Sequence, residues 1–147
     1  MLSVQSDTHF MTEALREARK AALSGEVPVG AVVVCNGRII ARAHNMTETL
    51  NDATAHAEML AITAAAGYLG GKYLEGCSIF VTLEPCPMCA SALNLAQVER
   101  VVWAADDPKR GFSLFAPNLL HPKTTSVKGL LADEASTLLT DFFKARR

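Results

Sequence analysis

A three-layer α/β sandwich with a mixed sheet of about five strands is the fold predicted by this sequence. Three observations carry it. Valine-rich apolar runs alternate with stretches of helical periodicity, the pattern of parallel strands joined by crossover helices. Asn36-Gly37 separates two strand-like runs and is a strong signal for a two-residue hairpin, which adds an antiparallel pair and makes the sheet mixed. The chain of 147 residues is 50% apolar by type, enough to bury one core; with no internal repeat or low-complexity segment, residues 1–147 are expected to form a single domain.

Taken in order, Ser6 and Asp7 are N-cap candidates for a first helix. Phe10, Met11, Ala14, Leu15, Ala18, Ala21 and Ala22 recur at helical spacing, and Glu13, Arg16, Glu17, Arg19 and Lys20 fill most of the other face. Gly25 is a suitable stop. Val29 to Cys35 is a nearly continuous apolar run behind Pro28, which a strand tolerates at its start. Arg38 to His44 returns as its hairpin partner, and His44 reads as a loop or edge histidine. Asn45 follows; its position alone reads as a turn residue.

Asp52 or Thr54 can cap the next helix, which starts near His56 and carries a face of small side chains, Ala57, Leu60, Ala61, Ala64 and Ala65. Gly67, Gly70 and Gly71 end it. Cys77 to Leu83 is a third strand, stopped by Glu84-Pro85; a helix from Met88 to near Gln97 and a fourth strand from Arg100 to Ala105 follow. Asp106 to Pro122 is long and irregular. Its Lys109, Arg110, Phe112 and Phe115 suit either a loop pinned by buried phenylalanines or a surface that holds phosphates and stacks bases. Val127 to Leu131 is a short fifth strand. Asp133 caps a last helix with Ala135, Leu138, Leu139, Phe142 and Phe143 on its apolar side and Lys144, Arg146 and Arg147 at its end.

The formal net charge of −1 gives no global support for nucleic-acid binding, so any such surface must be a local patch. Met1 to Phe10 lacks the apolar segment of a secretory leader, and no run reaches membrane-spanning length. A reducing, cytoplasmic setting is therefore expected, with Cys35 and Cys77 as buried strand thiols.

The chemistry concentrates in His56-Ala57-Glu58 and Pro85-Cys86-Pro87-Met88-Cys89. A lone Cys-x-x-Cys fits a redox pair, a structural zinc knuckle or two core thiols. A structural knuckle needs a second nearby Cys or His pair, and none is present. His56, Cys86 and Cys89 make three zinc donors, and a catalytic zinc keeps its fourth corner open for water. Cys86 and Cys89 are three apart and share a helix face, and thiolates at a helix start are stabilised by the dipole and free N–H groups. His56 and Glu58 are two apart and do not share one, which suits one ligand beside one carboxylate that moves protons.

These motifs, together with Val27-Pro28-Val29-Gly30-Ala31-Val32, Thr54-Ala55-His56-Ala57-Glu58 and Val81-Thr82-Leu83-Glu84-Pro85-Cys86, closely resemble the bacterial tRNA-specific adenosine deaminases of the cytidine deaminase-like superfamily. The likeness continues through Arg100-Val101-Val102-Trp103, Asp107, Gly129 to Glu134 and Leu139 to Phe143. The resemblance implies one Zn2+ per subunit held by His56, Cys86 and Cys89, with Glu58 as the proton shuttle. It implies substrate contacts from Asn45, the backbone of Ala57 and Asp107, and a homodimer. The implied substrate is adenosine at the wobble position of a tRNA anticodon, and the product inosine. Many members carry a Gly- and Ser-rich turn after Lys109; here the chain reads Arg110-Gly111-Phe112-Ser113-Leu114-Phe115-Ala116-Pro117, beside the substrate opening.

Two rivals remain at this level. One is a deaminase of a free base or nucleoside of the guanine or cytosine type, which needs a closed pocket instead of an open groove. The other is a zinc-stabilised binding subunit, which has no need of Glu58 or of an open coordination position.

Overall fold

A computed structural model describes residues 4–146. Its elements run α1 (Val4–Leu23), β1 (Gly30–Cys35), β2 (Arg38–His44), α2 (Ala57–Leu69), β3 (Cys77–Leu83), α3 (Pro87–Ala96), β4 (Arg100–Ala105), a single 3-10 turn (Phe112–Leu114), β5 (Thr125–Lys128) and α4 (Ala132–Lys144). One five-stranded sheet has the order β2-β1-β3-β4-β5. β1 is antiparallel to both β2 and β3, whereas β3, β4 and β5 are parallel. The expected mixed sheet is present.

Alternation along the strands builds two cores. Ala31, Val33, Ile79, Val81, Val101 and Trp103 point to the side covered by α2 and α3. Val32, Val34, Phe80, Val102 and Ala104 point to the side covered by α1 and α4. That gives three layers, as expected. The hairpin residues Asn36 and Gly37 have φ of 54° and 75°, the left-handed pair that a tight strand connection demands. Strands β2, β3 and β4 have the expected bounds, and β1 begins one residue after Val29.

Several local expectations are corrected. α1 already starts at Val4, so Asp7 lies in its first turn and does not cap it; its carboxylate instead accepts two bonds from Arg100, at 2.7 and 2.9 Å. The side chain of Ser6 lies outside the described residues, as do Met1 to Ser3 and Arg147. Glu13 and Glu17 are buried and not on a solvated face, because β2 brings Arg42 to Glu13 at 2.8 Å and His44 to Glu17 at 3.1 Å. His44, at the end of the edge strand β2, is the edge histidine expected, and it is paired with Glu17.

Asp52 and Thr54 do not cap α2. Asp52 Oδ1 accepts from the Thr54 N–H and hydroxyl, closing a turn ahead of the helix, and His56 is the capping residue. Gly67 lies inside α2, Gly70 ends it at φ 74°, and Ala64 is exposed. β5 is Thr125–Lys128, earlier than expected. Asp133 lies in the first turn of α4, whose cap is Leu131. Arg146 stacks on the Phe142 ring at 3.6 Å. Phe112 is buried edge-on against Trp103, whereas Phe115 is exposed, so the irregular segment is pinned by one phenylalanine, not two. Cys77 is buried and Cys35 half-buried; the two lie opposite each other in the β1–β3 register as free thiols. Among the described residues, no helix is long and apolar enough to cross a membrane.

Candidate active site

The parallel strands β3 and β4 end at the same edge of the sheet, and the segments leaving them carry Glu84 to Cys86 and Asp106 to Arg110. Carboxyl ends of parallel strands are the usual place for a site in an open α/β sheet. α2 and α3 start there as well. His56 is the N-cap of α2 and Cys86 of α3, both with extended backbone (ψ 153° and 170°), and Pro87 occupies the first turn of α3 without losing a helical bond. Two helix starts thus aim their free N–H groups and positive dipole ends at one place.

There the structure brings His56, Cys86 and Cys89 together, with all ligand atoms within 4.8 Å of one another. His56 Nδ1 lies 3.6 Å from Cys86 Sγ and 3.5 Å from Cys89 Sγ. A tetrahedral ion with Zn–N and Zn–S bonds of about 2.0 and 2.3 Å requires N···S separations of roughly 3.5–3.6 Å. The donor set and its spacing therefore fit zinc. Among the described residues no fourth His, Cys, Asp or Glu joins the cluster.

Charge in the cluster is already polarised. The Cys89 thiol bonds to Cys86 and, with His56, holds the Cys86 thiol down to about 4 despite its burial. Cys89 is pushed up by that same bond and by burial. His56 is raised by its bond to Cys86. A divalent cation inverts this local order and takes both sulfurs as thiolates. Glu58, in the first turn of α2, is buried, and burial pushes its carboxyl up to about 7. It contacts the Cys89 thiol and stands outside the ligand group.

A groove of about 1150 Å³ opens onto this cluster, lined by Asn45, Ala57, Glu58 and Asp107 together with Lys109, Arg110 and Phe143. Asn45 is buried; its Nδ2 donates to the Val27 carbonyl at 3.4 Å and its Oδ1 accepts from the Thr47 N–H at 3.4 Å. It is both turn residue and groove wall. Asp107 Oδ1 accepts from the N–H groups of Lys109 and Arg110, each at 3.0 Å, so this oxygen shapes the loop at the groove's edge. All seven residues singled out from the sequence thus border one groove or its floor. Phe143, expected in the core, is half-exposed at the groove's rim. Glu26 was not singled out, because nothing near it in the sequence signals a buried carboxylate.

Residues 4–105 match the cytidine and deoxycytidylate deaminase zinc-binding region. The chain is 50% identical over 146 residues to the tRNA-specific adenosine deaminase of Bacillus subtilis (strain 168), covering 96% of this chain and 91% of that one. It superposes with a TM-score of 0.84 and 44% identity on a solved structure from work on A-to-I editing by tRNA:A34 deaminases at the wobble position, covering 90% of this chain and 99% of that one. A guanine deaminase structure from Nitrosomonas europaea gives a TM-score of 0.79 at 26% identity, covering 92% and 83%. The His56, Cys86 and Cys89 cluster, the buried carboxylate beside it and this likeness along nearly the whole chain agree: the chain belongs to the zinc-binding cytidine and deoxycytidylate deaminase family and, within it, to the group of tRNA-specific adenosine deaminases.

Proposed function

We propose that this protein hydrolytically deaminates adenosine to inosine at the wobble position of a tRNA anticodon, as a single deaminase domain spanning residues 1–147. The groove carries this reading. At about 1150 Å³ it exceeds the roughly 300–1,000 Å³ of a small-molecule pocket, and basic Lys109 and Arg110 and aromatic Phe143 line it. A flipped nucleotide with its neighbours needs such a space; a free base does not. The identity of 50% to a tRNA-specific relative, against 26% and 37% to two guanine deaminases, supports the same choice.

His56, Cys86 and Cys89 hold the zinc. Bound there, zinc supplies a Lewis acid that brings the pKa of water from that of bulk water to about 7. Glu58 takes a proton from the attacking water and delivers it to the adenine ring nitrogen, then moves the remaining proton of the oxygen added at C6 to the departing amine. The C6–N bond breaks, a C6–O bond replaces it, and ammonia leaves. Burial suits Glu58 to this work, since a carboxyl lifted toward neutrality both accepts and donates near pH 7. Asn45 contacts the sugar or base from the groove wall. Ala57 offers a backbone N–H from the first turn of α2, where helical donors have no internal partner. Asp107 faces the nucleotide from the opposite loop.

The working form is a cytoplasmic homodimer. Tyr68 and Leu95, exposed on the α2–α3 layer, are the kind of apolar surface a second copy covers.

The test compares an anticodon stem-loop RNA with free adenosine, guanine and cytosine, reading ammonia release and inosine. Inosine in the RNA is expected. Ammonia from guanine or cytosine, with the RNA untouched, establishes the small-molecule reading instead. Glu58→Ala is expected to keep zinc and lose about 10²–10⁴ in turnover. A fully active variant rules out its role, and a zinc-bound wild type inert on every substrate leaves a binding subunit.

A further inference from the structure

Two carboxylates outside the metal cluster are buried and saturated with bonds from the groove's two lips. Glu26, 1% exposed, receives the first lip. Its Oε1 accepts from the Glu48 N–H at 3.0 Å and the Thr47 hydroxyl at 3.5 Å; its Oε2 accepts from the Thr49 N–H and hydroxyl, both at 2.6 Å. Glu84, 4% exposed, receives the second. Its Oε1 accepts from the Asp107 N–H at 3.1 Å; its Oε2 accepts from the Ser113 N–H at 3.1 Å and hydroxyl at 2.6 Å.

A steric observation supports the second clamp independently. A Cβ on Gly111 would fall 2.2 Å from Glu84 Oε1 and 2.4 Å from its Cδ, so any larger residue there would push the carboxylate out of the place in which it takes these bonds. The Phe112 N–H also bonds the Pro85 carbonyl at 2.9 Å, tying the same loop to the residue before Cys86. Thr47 and Glu48 on one side, and Asp107, Lys109 and Arg110 on the other, line the groove. A carboxylate offers only acceptors, and four of these donors are backbone N–H groups that water would otherwise have to satisfy, the other three being the hydroxyls of Thr47, Thr49 and Ser113.

We propose that Glu26 and Glu84 are positioning residues that fix the two lips of the groove relative to the metal cluster and so set how tightly the substrate's flanking nucleotides are held. The RNA part rests on the function proposed above and deepens it; the clamping part stands on the geometry alone.

The experiment uses the zinc-loaded full chain with Glu26→Gln and Glu84→Gln. Each amide turns an N–H toward groups that need an acceptor. Hydrogen exchange is expected to speed by about tenfold or more over residues 106–113 in Glu84→Gln and over 46–52 in Glu26→Gln, with the opposite lip unchanged in each. Zinc content stays at one per chain. On the stem-loop RNA, KM rises by about tenfold while kcat falls less. Thr49→Val and Ser113→Ala, which remove one exposed hydroxyl donor each, are expected to move the same lips by less and serve if a glutamine variant folds poorly. Exchange that rises everywhere, or in neither lip, overturns the proposal, as does a kcat loss that tracks zinc loss with KM unchanged. A wild type that leaves the RNA unedited overturns the substrate, while the exchange pattern still decides the clamps.

Discussion

Adding one methyl group at Gly30 tests the packing on which the site is mounted. Gly30 begins β1 under α1, and its N–H donates to the buried Thr82 hydroxyl at 3.1 Å. A Cβ there would lie 2.1 Å from the Ala14 carbonyl oxygen, 2.4 Å from the Ala18 nitrogen and 2.8 Å from Glu17 Cβ. Ala14 and Ala18 are four apart, so the methyl would press on one turn of helix backbone, which cannot swing aside as a side chain can. Carbon–carbon and carbon–oxygen contacts settle above 3 Å, so α1 must retreat by on the order of 1 Å and loosen Phe10, Met11 and Leu15 from β1 and β3. Overpacking of this kind costs about 1–3 kcal/mol, and backbone contact places it in the upper half. For a domain of this size each kcal/mol moves Tm by roughly 2–4 °C, so Gly30→Ala is expected to lower Tm by roughly 4–12 °C. The assay is thermal unfolding of the zinc-loaded protein by circular dichroism, with Gly67→Ala alongside. Gly67 lies inside α2 with nothing within 4 Å of its added Cβ, so the same chemical change there is expected to stabilise by about 0.5–1 kcal/mol. Unchanged or raised Tm in Gly30→Ala would refute the close approach of α1 to β1.

Cys89→Ser is expected to lose bound zinc and to lower Tm in the same step, as metal affinity is folding free energy; stoichiometric zinc in that variant excludes Cys89 as a ligand. Glu26 gives a pH prediction. Burial opposes its charge, but the bonds from Thr49, Glu48 and Thr47 outweigh that and hold its carboxyl below the 4.5 of a free one. Its folded pKa is thus the lower one, so the stabilisation is complete above 4.5 and lost as pH falls through the folded value. The slope of Tm against pH below 4.5 should be shallower in Glu26→Gln than in the wild type, and equal slopes contradict the assignment. Asp7→Asn removes the ionic partner of Arg100 at a contact where both side chains are about one-fifth exposed, and should cost about 1–2 kcal/mol, less at high salt. A loss that salt does not alter points to packing instead of charge.

Asn36-Gly37 with its flanking runs, the bounds of β2, β3 and β4, and the metal triad are legible in the chain because each is written in a short stretch. Turn chemistry, apolar period and a three-residue cysteine spacing act over one helical turn or one strand, so the tertiary fold has little power to overrule them. The helix starts are not legible in the same way, for a related reason. Polar residues such as Asp7, Asp52 and Asp133 are good caps in isolation, but each found other work: an ion pair with Arg100, a turn closed on Thr54, and a place inside the first turn of α4.

By itself, then, the sequence determined the layer order, the hairpin and the His56, Cys86 and Cys89 set that the fold gathers into a group able to hold a metal. Only the tertiary structure decided which acids are buried. Glu13, Glu26 and Glu84 look like ordinary surface or strand-end residues until partners 21 to 29 positions away arrive to bond them. Burial of a carboxylate is set by whether enough donors converge on it, and convergence across the sheet is a property of the whole fold, not of any local pattern.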